Sequence, residues 1–109
     1  MSEHKNKNKA KGNFGIYQIT IFGKVFKFGK ADLDRVTQTS GEPTRIHQQK
    51  RELKKTNDPD EVTHELVFKL QNTISKIAKQ VEKQVIQQFF EQTGEIPEGN
   101  KKSFKPKQK

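Results

Sequence analysis

The sequence predicts an α/β protein of the α+β kind, a small three-stranded, mostly antiparallel sheet packed with helices in the order β-β-α-β-α. Three observations predict it. β-branched and aromatic residues fill two runs, 15–22 and 25–28, on either side of the turn pair Gly23-Lys24. Val62, His64, Leu66, Phe68 and Leu70 alternate with Thr63, Glu65, Val67 and Lys69, the period of a strand with one buried face. Residues 72–92 carry apolar side chains at helical spacing and are followed by Gly94 and Pro97, which stop a helix.

The chain is the size of one domain. Residues 1–12 are rich in Lys, Asn and Gly and are expected to form a disordered basic tail. The domain then runs over 13–100, and 101–109 form a second basic tail. In a hairpin of residues 14–22 and 25–31, a two-residue loop pairs Phe22 with Val25, so that Ile21 faces Phe26, Ile19 faces Phe28 and Tyr17 faces Lys30. A three-residue loop would instead bring Lys27 to the face of Tyr17. Asp32 to Val36 reads as a turn of helix, and Ser40-Gly41-Glu42-Pro43 as a polar break. Residues 44–55 read as a surface helix, because Ile46 and Leu53 are its apolar content and Pro43 lies near its start.

Only 28% of the 109 residues are hydrophobic and 32% are charged, so the core comes from those few segments. Cysteine is missing, which removes disulfides, thiolate metal sites and cysteine nucleophiles and fits a reducing cytosol. Neither an N-terminal apolar leader nor a bilayer-spanning apolar run is present, so a cytoplasmic protein without a membrane role is expected. The formal charge of +9 suits a polyanionic partner. Four lysines against Glu3 in 1–12 and five lysines in 101–109 account for +8 of it, which leaves 13 bases and 12 acids over 13–100. A basic patch on the domain must therefore arise from segregation. The helix at 44–55 offers one, with Arg45, His47, Lys50, Arg51 and Lys54 as its expected contacts to nucleic acid.

Most sequence signatures of chemistry are missing. No glycine-rich phosphate loop precedes a helix, and no histidine pair has zinc-ligand spacing. A nucleotide or other small-molecule cofactor is not expected. His64 and Glu65 point to opposite faces of their strand, and His64 reads as a core or edge histidine. On the long helix, at about 100° per residue, Glu82 falls inside the apolar arc of Ile74, Ala78, Val81, Val85, Ile86 and Phe89. A carboxylate there must become protonated, find a basic partner or bind a cation, unless it snorkels from the border of the stripe.

Gly15-Ile16-Tyr17 followed by Lys27-Phe28-Gly29-Lys30-Ala31 resembles the paired signature of the GIY-YIG endonuclease superfamily, and the likeness in element order extends over nearly all of 14–100. Lys27 stands where the second motif usually has tyrosine. The resemblance implies phosphodiester hydrolysis with one Mg²⁺ or Mn²⁺, on DNA more than RNA. It implies Glu82 as metal ligand, and Tyr17 as the group that positions or deprotonates water with its pKa lowered by Lys27 or Lys30. It further implies an arginine that stabilises the phosphate in the transition state, and Asn100 in the loop that closes the site. Arg35 is the first choice for that arginine, and Arg45 with His47 is the competitor. The plainer alternatives are a strand tyrosine filling the sheet face and an Arg35 paired with Asp32 or Asp34. A non-catalytic nucleic-acid-binding module of the same fold is the rival function.

Overall fold

A computed structural model describes residues 11–38 and 41–105. Strands β1 (Lys11–Ile21), β2 (Lys24–Asp32) and β3 (Val62–Ile74) form one antiparallel sheet in the order β2-β1-β3. Helix α1 (Thr44–Leu53) lies between β2 and β3 in sequence, and α2 (Ser75–Thr93) follows β3. The element order is the one that the periodicities predict. The two helices cover opposite faces of the sheet. Tyr17, Ile19 and Ala31 point to one face, where Ile46 of α1 and Val62 complete an apolar cluster. Phe28 points to the other face and packs with Val85, Ile86 and Phe89 of α2, and with Ile96 and Phe104.

The hairpin departs from the expected register. Its loop is Phe22-Gly23 rather than Gly23-Lys24, with Ile21 opposite Lys24, and both loop residues have positive φ, 52° and 76°. That is the backbone of a tight hairpin turn whose twist matches the strands. Phe22 accepts the strained conformation at the tip, where its side chain stays exposed. Phe26 is then bulged out of the ladder: Thr20 pairs with Val25 but Ile19 pairs with Lys27. One extra residue turns every later side chain over to the other face. Lys27, Gly29 and Ala31 thus join Tyr17, and Tyr17 faces Gly29 instead of Lys30. A two-residue loop followed by a bulge reaches the facing that a three-residue loop would have produced.

β3 is longer than 62–70 and runs to Ile74, while Val67 is bulged where the pairing passes from Tyr17–Leu66 to Ile16–Phe68. The strict alternation is broken there, so Phe68, expected on the buried face, is 49% exposed. Lys11 and Gly12, expected in the tail, pair with Ile74 and Thr73 at the end of the ladder. Residues 1–10 of that expected tail lie outside the described residues. At the other end, Phe104 is buried against Phe28 and Ile86, so the segment after 100 begins inside the core. Such a ring contributes about 1.5–3 kcal/mol; residues 106–109 lie outside the described ones. Asp32 to Val36 forms a hydrogen-bonded turn and an isolated bridge from Val36 to Pro43, not a helix. α1 is two residues shorter than expected, and α2 ends on left-handed Gly94, whose N–H donates to the Phe90 carbonyl. Among the described residues no helix is long and apolar enough to cross a membrane.

Candidate functional site

The site lies along β2, an edge strand of the sheet, where side chains from four elements meet. Tyr17 of β1 lies flat across the backbone of Gly29 on β2. A Cβ at Gly29 would overlap the ring and hydroxyl of Tyr17, so only glycine lets the tyrosine reach the edge. The Tyr17 side chain is wholly buried, and the guanidinium of Arg45 on α1 hydrogen-bonds its hydroxyl. Lys27, two residues before Gly29 on β2 and on the same face, donates its ammonium to Gln49 Oε1 at 3.0 Å. Gln49 sits one helical turn after Arg45, so a single stripe of α1 holds both. Lys30 leaves the other face of β2, donates to the Ser75 hydroxyl at the start of α2, and lies 5.6 Å from the centre of the Phe14 ring.

Glu82 enters from α2. Ala78 and Ile86, one turn before and after it, are the buried residues of that helix, so Glu82 projects from the packed face and is itself half-buried. Burial pushes its carboxyl above the usual range, more than the charges of Lys30, Lys27, Lys79 and Arg45 pull it down. No ion pair to Glu82 forms among the described residues. Burial lowers Lys27, and Arg45 lowers it further against the pull of Glu82. Burial also lowers Lys30, with Glu82 opposing. Burial raises Tyr17, and the charge and hydrogen bond of Arg45 offset part of that rise. The resemblance to the endonuclease superfamily implies a Tyr17 whose pKa is lowered by Lys27 or Lys30. Removal of the phenol from water outweighs Arg45, and neither lysine is among the groups that lower it, so Tyr17 keeps its proton at neutral pH.

The structure brings together Tyr17, Lys27, Lys30, Arg45 and Glu82. Arg35, the first choice of arginine, is exposed outside this cluster, its backbone bridging Asp32 and Thr44. The bulge and the turn after β2 send it away, while α1 carries Arg45 over the tyrosine. Nor does Arg35 pair with the turn acids: Asp34 instead accepts from the Asn13 side chain at 3.1 Å. Asn100 is placed behind the site. Its Oδ1 accepts from the Phe28 N–H at 2.8 Å and its Nδ2 donates to the Phe28 carbonyl at 2.9 Å, so the amide caps the outer edge of β2 as a neighbouring strand would. Both of its polar atoms are thereby used, and its geometry is that of a support rather than of a group facing substrate.

The basic helix is also divided by its neighbours. Lys50 pairs with Glu42 at 2.9 Å and lies 3.1 Å from His64 Nδ1; His47 stands 3.4 Å from Glu42. Lys50 and His47 therefore serve an internal network on the β3 side, whereas Arg51 and Lys54 stay exposed. Gln49, Ser75 and Lys79 escaped the sequence reading. Their signal was spacing: Gln49 is four residues from Arg45, and Ser75, Lys79 and Glu82 share one face of α2.

Glu82 is the one acid among the charged groups of the cluster, and no group of three His, Cys, Asp or Glu able to hold a metal exists among the described residues. Glu82 is thus the carboxylate of this cluster that could contribute to holding a hard divalent cation, a kind of ion that one or two carboxylates hold together with water and phosphate oxygens. Comparison of the chain with protein-family models, with curated proteins and with solved structures finds no match.

Proposed function

We propose that this protein is a divalent-metal-dependent endonuclease of the GIY-YIG kind, which hydrolyses phosphodiester bonds of nucleic acid, DNA more than RNA. The observation that carries the reading is the convergence of Tyr17, Lys27, Lys30 and Arg45 on an unpaired, desolvated Glu82. A structural salt-bridge network would hold that carboxylate in contact with a cation. Here Lys30, Lys27, Lys79 and Arg45 act on it through space without an ion pair, and a positively biased environment of that kind suits an incoming phosphate.

In this reading Glu82 holds Mg²⁺ or Mn²⁺, which when bound neutralises the scissile phosphate and the leaving oxygen. Arg45, freed from Tyr17 by the stronger charge-assisted bond to phosphate, directs its planar donors at the charge that develops on phosphorus-bound oxygens. Tyr17, protonated, orients the attacking water by hydrogen bonding. Lys30 adds positive charge from the opposite side of β2. Arg51 and Lys54, exposed on α1, extend the contact along the nucleic-acid backbone.

The excess of cations over the single acid also favours a second reading, a module that grips phosphates through the same residues without cutting. A nicking assay on supercoiled plasmid with Mg²⁺ or Mn²⁺ decides between them. The nuclease reading expects metal-dependent nicking that is lost in Glu82→Gln and Arg45→Ala and kept in Arg35→Ala. Salt-dependent DNA binding by a wild-type protein that never nicks, with any of these metals, leaves the binding module.

A further inference from the structure

Hydrolysis needs a group that accepts the proton of the attacking water, and the cluster restricts the choice. Tyr17 is wholly buried, its hydroxyl is taken by Arg45, and burial holds its proton on. Glu82 is committed to the metal in the proposed reading. Lys30 leaves the face of β2 away from Tyr17, where it donates to Ser75 and lies near the Phe14 ring. Lys27 shares with Lys30 a neutral hydrogen-bond acceptor and differs from it in the face of β2 from which it leaves. Its nitrogen is held at 3.0 Å by a neutral acceptor, Gln49 Oε1, on the same face of the sheet as the tyrosine hydroxyl.

We propose that Lys27 is the catalytic residue that takes the proton from the attacking water, and that Gln49 is the positioning residue that aims it. The inference rests on the endonuclease reading. An amide oxygen suits this task better than a carboxylate would. A neutral lysine amine still has N–H groups to donate to Gln49, which leaves its lone pair free to accept a proton. A carboxylate at the same distance would fix the ammonium form. The charges around Lys27 act in opposite senses: burial and then Arg45 of α1 oppose its protonation, Glu82 of α2 favours it, and the net direction is down. Lys30, on the same strand, leaves from the opposite face, and Tyr17 of β1 is uncharged. The turn of 3-10 helix at Glu98–Asn100 packs on the Lys27 stem through Gly99, and its Glu98 is paired with Lys101 at 3.1 Å. In the step, the water oxygen bonds to phosphorus as the bond from phosphorus to the leaving ester oxygen breaks. The water proton passes to the Lys27 amine, the leaving oxygen takes a proton from solvent, and the ammonium returns its proton to solvent. The lysine that replaces the second-motif tyrosine thus has a role of its own.

The experiment is the pH profile of plasmid nicking in Mn²⁺ for wild type, Lys27→Gln, Gln49→Glu and Gln49→Met, beside a titration of the Lys27 side chain by NMR in the same proteins and a thermal melt of each. Lys27→Gln should lose about 10²–10⁴-fold in nicking while still binding DNA. Gln49→Glu places a carboxylate against the ammonium, so the ascending limb of the profile and the NMR titration should both move to higher pH by about 1–3 units. Cleavage by that variant is then at least about tenfold low near neutrality and recovers in alkali. Gln49→Met, which removes the acceptor without adding charge, should lower kcat with the limb near its wild-type position. A Gln49→Glu protein whose lysine titration moves while its nicking profile does not would overturn Lys27 as proton acceptor and leave the nuclease intact. A wild-type protein that fails to nick at any pH overturns both.

Discussion

Glu42 and Glu82 are both glutamates held partly out of water, and the fold treats them in opposite ways. Glu42 sits between α1 and β3 with Lys50 at 2.9 Å, His47 at 3.4 Å and His64 at 3.8 Å. Burial would raise its carboxyl, but Lys50 and the two histidines outweigh that and hold it below the ordinary value. Glu82 has more cations in its neighbourhood and an ion pair with none of them among the described residues, and its carboxyl is pushed up. Contact separates the two. A carboxylate hydrogen-bonded to its cation stabilises the fold, while one that only senses cations through space still lacks what would replace its lost water. Glu42 has the environment of a structural ion, and Glu82 that of a group waiting for a ligand.

The largest expected difference is in activity. Glu82→Gln should cut nicking by at least about a hundredfold, the scale of losing one electrostatic element of a catalytic site, while its melting temperature at neutral pH stays level or rises. Glu42→Gln should do the reverse. It strands Lys50 and removes the partner of two histidines, at a cost of roughly 1–2 kcal/mol after discounting for partial exposure, with nicking little changed. Equal loss of stability in the two variants would break the comparison.

The pH dependence sharpens it. The folded pKa of Glu42 is depressed, so its stabilisation is present above the unfolded value and is lost as pH falls through the folded one. The folded pKa of Glu82 is raised, so its ionisation costs stability at neutral pH and the cost disappears as pH falls through that raised value. Melts recorded from pH 7 down to about 3 should show Glu82→Gln converging on wild type in acid. The deficit of Glu42→Gln should shrink over the same range, from the opposite sign.

A smaller effect is expected on α1, where Lys50 belongs to the Glu42 network and Arg51 and Lys54 do not. Neutralising Arg51 and Lys54 should flatten the salt dependence of DNA binding by about one to two units of slope, at about 0.9 per phosphate contact. A double variant with the wild-type slope would move the binding surface off this helix. The smallest effect is spectroscopic. The chain has one tyrosine and no tryptophan, so ultraviolet titration of tyrosinate reads Tyr17 alone. Its pKa should lie above the ordinary value, rise further in Arg45→Ala and fall in Glu82→Gln. An ordinary value in wild type would mean that the ring is not buried as described.

The sequence by itself determined the three strands, the two helices and their order, because strand and helix periods are local properties of the chain. The position of Glu82 within the packed arc of α2 was legible for the same reason, since a helix sets its side-chain directions at a constant angle. The tertiary structure alone decided that Arg45 and not Arg35 covers Tyr17, that Lys50 is consumed by Glu42, and that Asn100 straps Phe28. It also decided that Phe104 leaves the basic C-terminal segment for the core. These outcomes depend on residues far apart in the chain, and on a bulge at Phe26 whose single extra residue turns Lys27 toward the tyrosine. Periodicity carries no record of such a bulge until the partner strand is in place.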